Sequence, residues 1–375
     1  MTQHSFLPPS GASAWRACSL WPTMNARYAQ SDSPESIEGT AAHWVATEMQ
    51  AGRAPAENTA APNGAIVTGV MLDGAELVCE TIAKRIPHNL VLRVEERVSI
   101  TTVHPDCFGT PDYWAIDSIA RHLEIVDYKF GHGFVNEFFN PQGILYMLGI
   151  FEGVRELFVP GADQSDWTVA FTIVQPRCYY RGEPVRTHSY SLREAYKHLE
   201  ELRAAAARAM EPKPEATTND ECEYCPGRHA CSALQLSAYK AAEISNRRAP
   251  HDLTPAAAGL ELRMLERALE RLQARVEGLR ELTLANLKAG RSVPQYNLEP
   301  GRGRVQWTAP IDRLITLGQL LGKDLSKPGV VTPAQAKKLG VDDSVISAHS
   351  VLTPGSLKLV PENNAEVAKV FGRGE

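Results

Sequence analysis

No stretch of this sequence approaches the roughly 20 consecutive apolar residues that a membrane span needs. Met1 to Trp21 lacks the basic-then-apolar layout of a secretory signal, so the expected compartment is the cytoplasm. Charge of one sign is not in surplus: 39 Lys and Arg against 44 Asp and Glu leave a net −5 over 375 residues. That excludes a global positive field drawing the chain onto nucleic acid or anionic lipid, and any DNA contact must come from a local basic groove. Cysteine is sparse: the seven present are too few for a disulfide scaffold in a chain of this length. No zinc-finger or helix-turn-helix pattern is found, so little sequence-specific DNA reading is expected. At 43% hydrophobic and 22% charged, overall disorder is excluded and a globular main domain with an accessory one is expected.

The chain reads as five segments. Residues 1–35 are expected to be irregular, with Pro8, Pro9 and Pro22 interrupting a short apolar turn around Trp15 and Leu20. Residues 36–210 read as the core. GTAAHWVATEM (39–49) predicts a helix closed by Gly52, RAPAENTAAPNG (53–64) a loop, and 73–85 a second helix. From Val91 to Phe130, β-branched and aromatic residues alternate with polar ones in VLRVEERVSI, FGTPDYWAI and LEIVDYKF, predicting three neighbouring strands. PQGILYMLGIFE (141–152) predicts a helix with proline at its first position, and WTVAFTIV (167–174) a central strand, apolar on both faces. Residues 191–209 predict a helix ending before Pro212 and Pro214. The expected fold is α/β, a mixed sheet flanked by helices.

Residues 211–250 hold a cysteine cluster. In 251–290, Thr254-Pro255 opens a long helix in which Leu262, Leu265, Leu269, Leu272, Val276 and Leu279 follow at steps of 3, 4, 3, 4 and 3. This amphipathic stripe is expected to be buried in packing. Residues 291–375, rich in Gly and Pro, are expected to form a helical extension without chemistry of its own.

Within the three strands, Asp127 and Lys129 share a face because side chains alternate along a strand. With Asp112 opposite on the neighbouring strand, two carboxylates and one ammonium would converge. Carboxylate oxygens suit a hard divalent cation, and an adjacent lysine can orient or deprotonate a metal-bound water, which is the chemistry of phosphodiester hydrolysis. A lone D-x-K triplet is also a common half-exposed strand face. Gln142 and Tyr146, four apart on the following helix, can point back at the same place. Upstream, Glu95 is expected to share a strand face with Arg97, and His43 lies on the early helix.

Cys79, Cys107 and Cys178 stand alone in apolar surroundings and are expected to be buried. Cys222, Cys225 and Cys231 have the tight spacing by which a loop presents three thiolates to one centre. Iron–sulfur clusters and structural zinc both use four ligands. His229 would complete a local zinc site and Cys18 a long-range one, and spacing leaves iron and zinc open. The run Arg177, Tyr179, Tyr180, Arg181, continuing to Arg186, is basic with interleaved aromatics. It could pair phosphates and stack bases, or be a hairpin end with solvated arginines.

Taken in order, His43, Glu95, Gly109-Thr110-Pro111-Asp112, Asp127-Tyr128-Lys129 and Gln142 with Tyr146 resemble the motifs of the PD-(D/E)XK nuclease superfamily, in its RecB-like branch that carries an iron–sulfur cluster. EGTAAH, VDYKFGHG, NPQGILYMLG, IVQPR and, in the tail, GRGRVQW are similar to a family of phage and prophage proteins assigned to that superfamily. The resemblance implies a restriction-endonuclease-like core and a metal-dependent DNA nuclease, an exonuclease of phage DNA replication or recombination. It implies magnesium or manganese held by His43, Asp112, Asp127 and the Tyr128 carbonyl, with Lys129 catalytic and Glu95, Gln142 and Tyr146 in support. It also implies a 4Fe–4S cluster on Cys18, Cys222, Cys225 and Cys231, serving as a structural clasp. Implied partners are DNA and a phage recombinase or single-strand annealing protein, with no membrane, in a bacterial host's cytoplasm. Asp127 stands where many relatives carry Glu, which would bring the metal nearer the strand. Two alternatives stay open: a DNA-binding or assembly partner without turnover, and a zinc-stabilised regulator needing His229 rather than Cys18.

Overall fold

The computed structural model describes residues 5–28, 33–154, 166–178, 182–244, 253–300, 304–325, 331–353 and 357–361. Two compact units are present, Met1–Val276 and Glu277–Glu375.

Over residues 5–28 the N-terminal stretch is not irregular. A 3-10 turn at Pro9–Gly11 leads into α1 (Ala12–Ala17) and α2 (Trp21–Arg27), and Leu7 and Trp15 are fully buried in the main core. Pro9 and Pro22 begin elements rather than breaking them, since the first turn of a helix needs no N–H from them. Next come α3 (Pro34–Gln50), capped by the Ser33 hydroxyl, and α4 (Gly69–Arg85), capped by Thr68. Each starts a few residues earlier than apolar periodicity alone predicts, because the cap sets the start. Cys79 lies on α4 and is only half-buried, against expectation, whereas Cys107 and Cys178 are buried.

VLRVEERVSI does not form one strand. It splits into β1 (Arg93–Val94) and β2 (Val98–Ser99), broken at Glu95, whose φ of 46° is left-handed. FGTPDYWAI splits around Pro111 into β3 (Phe108–Gly109) and β4 (Tyr113–Asp117), proline having no N–H for a ladder. β2 and β3 pair as a separate ribbon. After β5 (His122–Tyr128) come α5 (Pro141–Gly153), β6 (Thr168–Val174) and β7 (Val185–Ser191), and the main sheet runs β1-β4-β5-β6-β7. β5 and β6 are parallel and joined through α5, while the other pairs are antiparallel. The expected helix over 191–209 is two, α6 (Leu192–Tyr196) and α7 (Leu199–Ala209), the first opened by a Ser191/Glu194 capping box. β7, polar in sequence, has no apolar alternation to predict it.

The sheet is covered on both faces. Leu123, Ile125, Phe171 and Ile173 pack with α5 and the N-terminal residues, while Tyr113, Val126, Tyr128 and Val174 pack with α3 and α4. α5 is buried nearly throughout. Its close approach to β6 is permitted by Gly143, where a Cβ would lie 2.7 Å from the Phe171 ring. Beyond the sheet lie α8 (Ser232–Ile244) and α9 (Pro255–Lys288).

The C-terminal unit carries short helices as expected, but strands accompany them. It contains β8 (Tyr296–Pro300), β9 (Arg304–Trp307), α10 (Ile311–Leu320), α11 (Pro333–Lys338), α12 (Asp343–His349), β10 (Ser350–Thr353) and β11 (Leu357–Pro361). β8 pairs with β11 and β9 with β10, and Leu325, Val331, Ala336, Val341 and Ile346 form a core beside Trp307.

Candidate active site and cysteine centre

One end of the sheet collects the predicted side chains. Asp127 and Lys129 lie at the carboxyl end of β5, Asp112 at the start of the antiparallel β4, and Gln142 in the first turn of α5. Register explains the meeting: Tyr113 is paired with Val126, so the preceding Asp112 falls beside Asp127. The backbone N–H of Tyr128 donates to Asp112 Oδ2 at 2.7 Å, and His43 Nδ1 lies 3.4 Å from Asp112 Oδ1. Lys129 Nζ stands 2.9 Å from Asp127 Oδ2 and donates to Gln142 Oε1 at 3.2 Å. Gln142 Nε2 donates to Asp127 Oδ1 at 3.0 Å and to the Tyr146 hydroxyl at 3.3 Å, which itself donates to the Thr110 carbonyl at 3.2 Å. The four-residue spacing of Gln142 and Tyr146 therefore does place both on the site.

Environment separates the two carboxyls. Burial pushes Asp127 above the usual carboxylate range, the like charge of Asp112 adds to this, and Lys129 offsets only part. Burial alone would also raise Asp112, but His43, Lys129 and the Tyr128 N–H together hold it below that range. Lys129 would be lowered by burial, yet Asp127 and Asp112 keep its pKa raised. His43, likewise disfavoured by burial, is raised by the charge and hydrogen bond of Asp112.

Glu95 departs from expectation. Its N–H donates to the Asp112 carbonyl at 2.9 Å, but its side chain is exposed at the strand break. It shares no strand face with Arg97, whose guanidinium stacks 3.8 Å over the Phe108 ring. Gly109, in the motif before Asp112, has a packing reason for being glycine: a Cβ there would meet Pro9 at 2.8 Å and the Tyr146 ring at 3.0 Å.

Among the described residues, no three His, Cys, Asp or Glu side chains stand as a ready-made metal cage. Lys129 and Gln142 instead occupy the space around Asp127. The donor set nevertheless fits a hard cation. Asp127 Oδ2 is buried against the Lys129 ammonium at 2.9 Å, and Asp112 offers a partly exposed carboxylate beside an imidazole.

Lys129 and Gln142 also line an open cleft of about 980 Å³. Its far wall is the loop 131–139, which is anchored from beneath. Gln175 Nε2 donates to the carbonyls of Gly131 (3.0 Å) and Gly133 (2.6 Å). Arg186 donates to the Val135 carbonyl (2.9 Å) and Gln175 Oε1 (2.8 Å) and pairs with buried Glu137. Arg186 is thus not a solvated or DNA-facing arginine. Its buried position on β7, which the sequence did not reveal, turns it inward. Arg177 lines the cleft but is paired with Glu38 at 2.7 Å and lies over the Phe130 ring. Tyr179, Tyr180 and Arg181 lie outside the described residues. Gln175 and Glu137 were missed as site residues, since nothing in their local pattern marks a buried polar pair.

A family model described as "Protein of unknown function (DUF2800)" matches residues 4–339, most of the chain. The chain belongs to the DUF2800 family. The matched span includes the residues of the candidate site just described and also the cysteines.

In this DUF2800 member, Cys18, Cys222, Cys225 and Cys231 line one small cavity of about 20 Å³, walled by Trp21, Met24 and Leu234. Backbone N–H groups of Thr217 and Asn219 point at Cys18 Sγ and Cys222 Sγ, each at 3.4 Å. Burial pushes the Cys225 thiol up to about 11 and raises Cys222 as well. His229 packs edge-on against Tyr28, ring centroids 4.6 Å apart, and does not line the cavity. The four cysteines thus line one cavity that His229 does not line, though among the described residues they do not stand as a formed metal cage.

Proposed function

We propose that this DUF2800 member is a metal-dependent deoxyribonuclease of the PD-(D/E)XK type, RecB-like in its motifs, acting as an exonuclease in phage DNA replication or recombination. The observation that carries the reading is Asp127, Lys129 and Gln142 in one hydrogen-bonded group, with Asp112 held beside them by the Tyr128 N–H and with Lys129 and Gln142 lining the cleft. A binding role asks for no such buried trio of two carboxylates and an ammonium.

Asp112, Asp127 and His43, with the Tyr128 carbonyl, would hold the ion. Bound magnesium or manganese supplies Lewis-acid polarisation of the phosphate and an acidified water. Lys129 keeps its proton, with the raised pKa its two carboxylates impose, and holds positive charge where negative charge develops on phosphate oxygens. Gln142 fixes the Lys129 and Asp127 side chains relative to each other, and Tyr146 fixes Gln142. The four cysteines would hold a 4Fe–4S cluster, with zinc as the alternative, clasping the chain before the core to the chain after it. DNA is the partner, with a phage recombinase or single-strand annealing protein acting beside it.

The test is cleavage of end-labelled linear DNA with magnesium or manganese. Asp112→Asn and Lys129→Ala should each lower the rate by about 10²–10³-fold, assayed below the melting temperature of each variant because Lys129→Ala leaves the buried Asp127 carboxylate without its partner. Equal rates in all three proteins would exclude the site. DNA binding by a well-folded wild type without any cleavage would favour the assembly partner instead.

A further inference from the structure

The leucine stripe of α9 is not buried in packing as its spacing predicted. Leu262, Leu265, Leu269, Val276 and Leu279 are all exposed, from 41% at Val276 and Leu279 to 60% at Leu262, and Leu272 is only half-buried. Within the first unit the helix packs by another side: Ala274 is buried, and Arg275 donates to the carbonyls of Arg228 and His229. With the stripe at the a and d positions of a heptad, Ala274 occupies f, directly opposite the seam. Where α9 packs, the packed side and the leucine stripe are therefore different sides; near its start Leu260 and Met264, off the stripe, are exposed as well. An open stripe repeating every 3.5 residues is the surface a second helix covers.

The charges beside the stripe decide which helix. Glu261 and Glu266 flank its N-terminal half, and Arg275 and Arg280 its C-terminal half. Two copies of α9 laid parallel would set Glu261 against Glu266 and Arg275 against Arg280, two like-charge pairs across the seam. Laid antiparallel, the acidic half of each copy lies on the basic half of the other. Leu262 then meets Leu279, Leu265 meets Val276, Leu269 meets Leu272, and Glu266 reaches Arg280, every contact occurring twice by two-fold symmetry. We propose that two copies of this chain associate by antiparallel pairing of α9 along this stripe. The proposal does not depend on the nuclease reading.

The test is sedimentation equilibrium of the full chain at low-micromolar concentration, where a dimer is expected. Leu265→Glu with Leu269→Glu, both at exposed positions, should weaken association by at least about a hundredfold through loss of buried leucine surface, without shifting the thermal midpoint of the monomer. Glu266→Arg should weaken the dimer, and adding Arg280→Glu should restore it. For orientation, a Leu262→Cys chain mixed with a Leu279→Cys chain should give a disulfide mapped by mass spectrometry between 262 and 279, with neither chain alone linking to itself at its new cysteine. A monomeric wild type, a dimer indifferent to both glutamates, or self-linking by either single variant would overturn the proposal.

Discussion

Arg186→Met tests whether the inward turn of β7 is what shapes the cleft. The guanidinium makes four hydrogen bonds: Nε to Glu137 Oε2 at 3.3 Å, Nη1 to the Glu183 carbonyl at 3.0 Å, and Nη2 to the Val135 carbonyl and Gln175 Oε1 at 2.9 and 2.8 Å. It also lies 4.8 Å over the Phe134 ring. Methionine keeps most of the apolar stem and removes the charge, leaving the Glu137 carboxylate buried without its partner. Removing one member of a buried ion pair costs about 3–5 kcal/mol, which at a few degrees per kcal/mol lowers the thermal midpoint by roughly 10 °C. Adding Glu137→Gln removes the stranded charge, so the double variant should be more stable than Arg186→Met alone, a non-additivity that a double-mutant cycle in urea reads directly. Cleavage should fall with the loosened loop, while the salt dependence of DNA binding should stay unchanged, because no phosphate contact is lost. A stability loss below about 1 kcal/mol, or a log–log salt slope reduced by about 1, would return Arg186 to the DNA surface and refute the clamp.

Gly143→Ala would push a methyl group into the Phe171 ring. It should cost about 1–3 kcal/mol and lower cleavage by displacing Gln142 on the same helical turn; unchanged melting and activity would mean α5 can shift freely. Cys18→Ser should strip the protein of iron or zinc, measured on anaerobically purified samples, and destabilise it by about 5 kcal/mol, the scale for opening a cross-linked loop of this length. His229→Ala should keep the metal, and the reverse pattern would make the centre a local zinc site.

The α/β class, α5 with its N-terminal proline, β6 as a central strand and the face shared by Asp127 and Lys129 were legible because each rests on local periodicity or on a proline's missing N–H. The spacing of Gln142 and Tyr146 was equally local and placed both correctly. What failed were features whose cause lies elsewhere in the chain. Glu95 looked like one residue of a continuous strand, yet the strand breaks there because its two halves pair with different partners, β4 and β3. Arg186 looked like part of a basic surface patch, yet β7 pairs with β6 and turns it under the cleft loop.

Along one stretch of chain, periodicity and charge order settle which residues share a face, and so the sequence by itself determined the chemistry available: two carboxylates and a lysine for one site, three clustered thiols for another, an apolar seam on a long helix. Tertiary structure alone decided what each face meets. It brought Cys18 across the fold to the three later cysteines, left the seam of α9 uncovered, and set Asp112 beside Asp127 through a strand register that no local pattern encodes. The reason is physical: hydrogen-bonded pairing between distant segments and the burial of polar groups depend on the partner as much as on the residue.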